Sequence, residues 1–165
     1  MSDFVFEVAT PDDDAALRCL VASEPVPGSI TVSYTREPDY FAGCATMGPF
    51  SQVLVGRHRP SGTLAVVGCR AVRRLFVNGE PREVGYIGQL RIASAFRGRA
   101  LLRQAFRFLR PLMSDGRAPV HLTTIIEQNR QAMGLLVDLH RPGLPRYREV
   151  GRLETLVFAA RALRS

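Results

Sequence analysis

Gly85-Tyr-Ile-Gly-Gln-Leu-Arg-Ile-Ala-Ser-Ala-Phe-Arg-Gly-Arg-Ala-Leu-Leu102 changes its hydrophobic period midway, and that change decides the fold. Val84, Tyr86, Leu90 and Ile92 alternate with Ile87, Gln89 and Arg91, the two-residue period of a strand with one mainly apolar face. From Arg97 onward, Leu101, Ala105, Phe108 and Leu112 recur at helical spacing, joined by Leu102, Phe106, Leu109 and Met113. Arg99, Arg103, Arg107 and Arg110 fall together on the opposite side and read as a solvated helix face. A strand feeding a helix start that carries Arg97-Gly98-Arg99 makes an anion cradle. Unpaired backbone N–H groups and the positive helix end attract the ligand, and the Arg forks add charge-assisted bonds. The ligand this suits is a phosphate or pyrophosphate.

The rest of the chain bounds the problem. A length of 165 residues with 46% hydrophobic content is one domain, 1–165, with enough apolar side chains for a proper core. No apolar run approaches the roughly 18 residues of a membrane span. Met-Ser-Asp-Phe at the start lacks the basic and apolar regions of a signal peptide, so the expected compartment is cytoplasmic. Cys19, Cys44 and Cys69 are widely spaced and odd in number, which argues against a disulfide framework or a metal knuckle; they are expected as reduced packing residues, with no metal site. The net charge is +7, and all 22 basic residues are Arg. Without Lys there is no Schiff-base chemistry. The basic balance suits an anionic partner, but the arginines are spread and carry no nucleic-acid motif, which argues against nucleic acid.

Local signals order the elements. Phe4 to Val8 reads as a strand, and Thr10-Pro11-Asp12-Asp13-Asp14 as a capped helix start reaching about Ala22. A short helix starts near Pro38 and carries Tyr40 and Phe41. Ser51 to Gly56 and Thr63 to Val77 read as strands, and Asn78-Gly79 as a hairpin into the strand containing Gln89. Pro111 kinks or ends the Arg97 helix. Val120 to Ile126 is a strand, Asn129 to about Leu139 a helix, and Leu153 to Ala159 a last strand. The order β-α-α-β-β-β-α-β-α-β indicates an α+β fold, or a mixed sheet with helices on its faces.

That order resembles the GNAT superfamily of acyl-CoA-dependent N-acyltransferases over almost the whole chain. The family's cofactor turn reads Gln/Arg-x-x-Gly-x-Gly/Ala. Arg97 stands at its first position, Ala100 where the first Gly belongs, and Leu102 where Gly/Ala belongs. Asn129-x-x-Ala132-x-x-Leu135 is similar to the family's helix after the splayed fifth strand. The resemblance implies a central, mostly antiparallel mixed sheet flanked by about four helices. It also implies acetyl-CoA as acyl donor, with pantetheine along Leu90 and Ile92 and pyrophosphate on the amides of Arg97, Gly98, Arg99, Ala100, Leu101 and Leu102, near Asn129. Ala100 is expected to hold a conformation without positive φ, and Leu102 to point into the core.

Acyl transfer to an amine needs a base for the ammonium and an acid for the departing thiolate. Where many family members place a Glu or Asp this chain has Gln89, and where many place a Tyr it has Leu136. The remaining candidates are Glu127 as base and Tyr147 as acid, with Tyr40, His121 and His140 behind them, or a water relay. Tyr34, Arg36, Glu37, Asp39 and Tyr40 stand where a mouth for a small-molecule or peptide amine would lie. The rival reading is a catalytically silent acyl-CoA-binding sensor or partner domain. The closing Ala160-Arg-Ala-Leu-Arg-Ser leaves open whether a final strand pairs with a second copy in a homodimer.

Overall fold

Short turns join the first strands, so neighbours in sequence become neighbours in the sheet. The computed structural model describes residues 2–26, 31–138 and 142–154. Strands β1 (Phe4–Val8), β2 (Phe50–His58), β3 (Leu64–Val77), β4 (Glu80–Ile92) and β5 (His121–Leu122) lie in the order β1-β2-β3-β4-β5. The first four are antiparallel, and β5 runs parallel to β4. Between β3 and β4, Asn78 (φ 54°) and Gly79 (φ 83°) give the two positive φ values of a tight hairpin.

Helices cover both faces. Thr10 and Asp13 form a capping box around a single 3₁₀ turn, which continues into α1 (Asp14–Ser23). Asp39 caps α2 (Tyr40–Ala45) by accepting from the N–H groups of Phe41 and Ala42. Leu17, Leu20, Val21, Tyr40 and Cys44 from these helices pack on Val53, Val55, Val67 and Cys69 of the sheet. The other face carries α3 (Leu101–Met113), whose Leu101 joins Phe4, Ala65 and Val66 and whose Phe106 and Leu109 join Leu54. The last helix among the described residues, α4 (Arg130–Met133), runs into a π-helical segment, Gly134–Asp138. The α+β class follows the sequence reading, as do the four helices among the described residues.

Four details differ from it. The α3 helix begins at Leu101, because Ser94–Phe96 is a separate 3₁₀ turn and Arg97 to Ala100 form a loop. Pro111 sits inside the last turn of α3, which continues to Met113. Of Val120 to Ile126 only His121–Leu122 pairs as strand. Cys44 and Cys69 are buried free thiols, whereas Cys19 is exposed. Leu153 and Glu154 lie outside any strand, and residues 155–159 and His140 fall outside the described residues. No helix among the described residues is long and apolar enough to cross a membrane.

Candidate functional site

The strand β5 leaves the sheet almost at once. Its pairing with β4 covers only Gly85↔His121 and Tyr86↔Leu122, while β4 continues to Ile92. Gly85 permits the pairing, since a Cβ there would lie 2.2 Å from the His121 ring. Past it, the Thr123 hydroxyl donates to Ile87 O, and Tyr86 Oη lies 2.6 Å from Thr124 Oγ1. Beyond that bridge, the edge of β4 from Gly88 to Ile92 has no described strand against it.

A bulge interrupts β4 at the same place. Val67 pairs with Arg91 and Cys69 with Gly88, so β4 carries one residue more than β3 there. Gln89 takes the left-handed conformation, φ 57°, which a non-glycine residue adopts only at a cost. Its side chain is anchored in return: Tyr40 Oη donates to Oε1 at 2.8 Å, and Nε2 lies 3.0 Å from Met47 Sδ. Burial raises the Tyr40 phenol well above its ordinary value, so it remains a donor. Gln89 therefore ties α2 to the bulge. The bulge also reverses the face assignment upstream: Ile87 packs on the α3 side, as Leu90 and Ile92 do, rather than opposite them.

At the open end, β4 passes into the loop before α3. Gly98 has φ 80° and Ala100 φ 54°, ψ 25°. This corrects the expectation for Ala100: the position is left-handed, and the methyl is accommodated with strain. No side chain caps α3, and the first N–H of that region with a backbone acceptor is Gln104, 3.3 Å from Ala100 O. The N–H groups from Gly98 to Arg103 are left without a described protein acceptor, and Arg97 to Ala100 are exposed. Such an end attracts anions. Leu102 packs toward Phe106 and Leu109, as expected. Ala100→Gly is expected to raise stability by about 1 kcal/mol by removing the left-handed strain, read as a rise in Tm of roughly 2–4 °C. An unchanged or lower Tm would show that the strain is absent.

Arg97 is held from behind. Its Nη2 pairs with Glu24 Oε2, its Nε lies 3.4 Å from Ile92 O, and Glu24 Oε1 accepts from Ser94 N at 2.6 Å. Glu24, at the end of α1, is 7% exposed and was not singled out by the sequence. The signal available was its place just before the Pro25-Val-Pro27 break, where a buried acid needs a cationic partner. Arg99 has no carboxylate partner among the described residues and lies over the Phe96 ring, 5.7 Å from its centroid.

No protein-family model matches the chain, and no curated protein aligns with it significantly. Solved structures do. An acetyltransferase of Trypanosoma brucei aligns with a TM-score of 0.61 at 17% identity, over 93% of this chain and 100% of that one. Glucosamine-6-phosphate N-acetyltransferase from Arabidopsis thaliana aligns at 0.64 and 13% identity, over 94% and 100%. AAC(6')-Iy, in complex with the bisubstrate analogue CoA-S-monomethyl-acetylneamine, aligns at 0.67 and 12% identity, over 96% and 99%. The chain has the GNAT fold.

Within this GNAT fold the candidate residues fall into two groups. Leu90 and Ile92 lie on the stretch of β4 without a described partner and turn their side chains into the core with Leu101, and Arg97 to Ala100 lead from there into α3. Glu127 and Asn129 follow β5 in the chain, and Tyr147 joins the cluster around Phe106 and Leu109. Asn129 Oδ1 caps α4 by accepting from Ala132 N at 3.1 Å, which leaves its amide donors free of that bond. Tyr147 packs edge-on against Phe106, with ring centroids 6.5 Å apart. Burial pushes its phenol up, and the neighbouring Thr123 side chain pulls it partly back. Glu127 is exposed, with Arg152 Nη1 3.6 Å from its Oε1. Leu136 packs in the α3-side core, and His121 is enclosed by Gly85 and Arg70.

Proposed function

We propose that the protein is an N-acetyltransferase that moves an acetyl group from acetyl-CoA to an amine by direct attack on the thioester. The observation that carries this reading is the opening itself. A strand edge without a described partner, a strained bulge and a turn of unpaired amides lie in series along one strand-to-helix element. The acetyltransferase names of structures sharing the GNAT fold support it.

In this reading the pantetheine amides pair with the free edge of β4 at Leu90 and Ile92. The diphosphate sits on the N–H groups from Gly98 to Arg103, with Arg99 adding charge. Arg97 shapes the turn through Glu24 and shares its charge with the phosphates. The backbone N–H beyond the bulge faces the thioester carbonyl and stabilises the negative charge that builds there in the transition state. Glu127 takes the proton from the ammonium, and Tyr147, beside the Thr123–Ile87 bridge at the apex of the opening, donates to the departing thiolate. Holding amine and thioester in one geometry supplies much of the rate.

Acetyl-CoA that binds only the native state stabilises it by roughly 2.7 kcal/mol at about 100 times Kd. The expected rise in Tm is on the order of 5–10 °C. Thiol release from acetyl-CoA with a panel of amines then separates a working transferase from a silent acyl-CoA module, which would show the thermal shift and no release. A chain that neither melts higher nor gives heat with millimolar acetyl-CoA would overturn the reading at its first step.

A further inference from the structure

On the α1–α2 side of the bulge two arginines have no carboxylate partner among the described residues. Arg91 follows Gln89 by two residues on the same face of β4. Its Nε donates to Glu24 O at 3.0 Å and its Nη1 to Leu90 O at 2.9 Å, both backbone carbonyls. Arg36 donates from Nη1 to Gly43 O at 3.1 Å, and its Nε is buried with no hydrogen-bond partner. Both face the ring of Tyr34, with Arg91 Cζ 5.0 Å and Arg36 Cζ 6.0 Å from its centroid. Neither guanidinium takes part in any ion pair among the described residues.

The acids of this neighbourhood are already engaged. The Glu24 carboxylate holds Ser94 N and Arg97, Glu37 pairs with Arg18, and Asp39 caps α2. Asp14 takes Arg18 and the N–H of Tyr40. Burying a cation without a counter-charge is costly, and a guanidinium offers a planar fork suited to two oxygens of one oxyanion. Burial lowers Arg91's hold on its proton, and the charges of Tyr34, Tyr40 and Glu24 offset this only in part. Arg36 holds Gly43 of α2, and Arg91 leaves β4 two residues after Gln89, which Tyr40 of the same helix anchors at the bulge where the thioester carbonyl would be polarised.

We propose that Arg36 and Arg91, which share the ring of Tyr34, bind a compact oxyanion, a carboxylate or a phosphate, carried by the amine acceptor. This rests on the transferase reading and adds the substrate class: the acceptor is an anionic amine. The two sources of oxyanion share one chemistry here, oxygens that accept from the guanidinium N–H groups not already given to Gly43, Glu24 and Leu90.

The test has a binding arm and a kinetic arm. Full-length protein saturated with CoA, which fills the loop before α3, is titrated with sodium phosphate or sodium acetate while the arginine Nε–H signals are followed by NMR. Saturable shifts are expected at Arg36 and Arg91, each signal identified by its loss in Arg36→Lys and Arg91→Lys. Silent signals would overturn the anion site. Rates of CoA release are then compared in matched pairs, phosphoethanolamine against ethanolamine and an amino acid against its amide. The anionic member is expected to have a kcat/KM about 10–100-fold higher, the usual worth of a charged hydrogen bond. The pair with the larger ratio tells phosphate from carboxylate. Arg91→Ala should bring the ratio close to one, and Arg110→Ala, on the exposed face of α3, should leave it unchanged. Equal rates within both pairs would overturn the substrate class. Shifting signals with no transfer to any amine would instead overturn the transferase reading and leave the anion site standing.

Discussion

Tyr147→Phe is expected to cut turnover by about 10²-fold or more, and Glu127→Gln by a similar factor, with the Kd for acetyl-CoA nearly unchanged in both. The two substitutions remove different protons. Phe at 147 keeps the ring that packs edge-on against Phe106, so Tm should hardly move and only the hydroxyl is lost. Burial keeps that phenol above its ordinary value of 10, so the acid form persists through neutral and mildly alkaline pH. The Tyr147 variant should therefore be slow at every pH in that range. Glu127 is exposed, so its replacement costs the fold little, and its loss should show in the pH profile. Without a base the reaction depends on the fraction of acceptor already deprotonated. The rate of Glu127→Gln should then climb with pH toward the acceptor's own pKa, while the parent enzyme reaches its plateau earlier. Wild-type rates and profiles in both variants would remove these two side chains from the chemistry and leave proton transfer to water.

Much of the frame was readable because short-range rules set it. Asn78-Gly79 can make its turn with little else around it, and Thr10 with Asp13 caps a helix locally. The apolar row of α3 needed only its spacing. The features that build the site were harder to read. A bulge at Gln89 adds one residue without a glycine to mark it, so alternation counted across it puts Ile87 on the wrong face. Ala100 reads as an ordinary helical residue, and its positive φ is imposed by the loop it closes. The strand expected from Val120 to Ile126 has the right residues, but β4 turns away after two pairs, and strand length depends on the partner as much as on propensity. Glu24, Arg91 and Arg70 carry no local motif, and what buries each of them is a partner distant in sequence. Arg70 had a signal: it stands between Cys69 and Ala71 in a run that is apolar on both faces.

Arg70→Ala is expected to cost about 3–5 kcal/mol of stability, the usual price of breaking a buried charge network. That is a loss of roughly 10 °C in Tm. Arg70 is fully buried beneath the end of α3. Its Nη2 and Nη1 reach Asp115 Oδ1 and Oδ2 at 2.7 and 2.9 Å, Nη1 also reaches Gln52 Oε1 at 3.1 Å, and Nε lies 3.4 Å from His121 Nε2. The guanidinium thus joins β2, β3, the turn after α3 and β5, and the last of these sets where the opening begins. Arg70→Met restores volume but none of these bonds, so it should recover only part of the loss. Full recovery by Met would mean that packing alone holds the site. The same network predicts a pH dependence. Burial and the Arg70 charge lower the pKa of His121 below its ordinary 6.5. The unfolded chain then takes up this proton before the native one, so stability falls as pH drops through 6.5 toward the lowered native value, and the effect stops below it. Asp115 acts in a separate window. Its hydrogen bonds to Arg70 hold its carboxyl below the usual 3.8, so its contribution is present above that value and lost as pH falls further. His121→Gln should remove the loss near pH 6 and keep the one below 4, as read from Tm against pH. A slope near pH 6 that survives the substitution would have to come from another group.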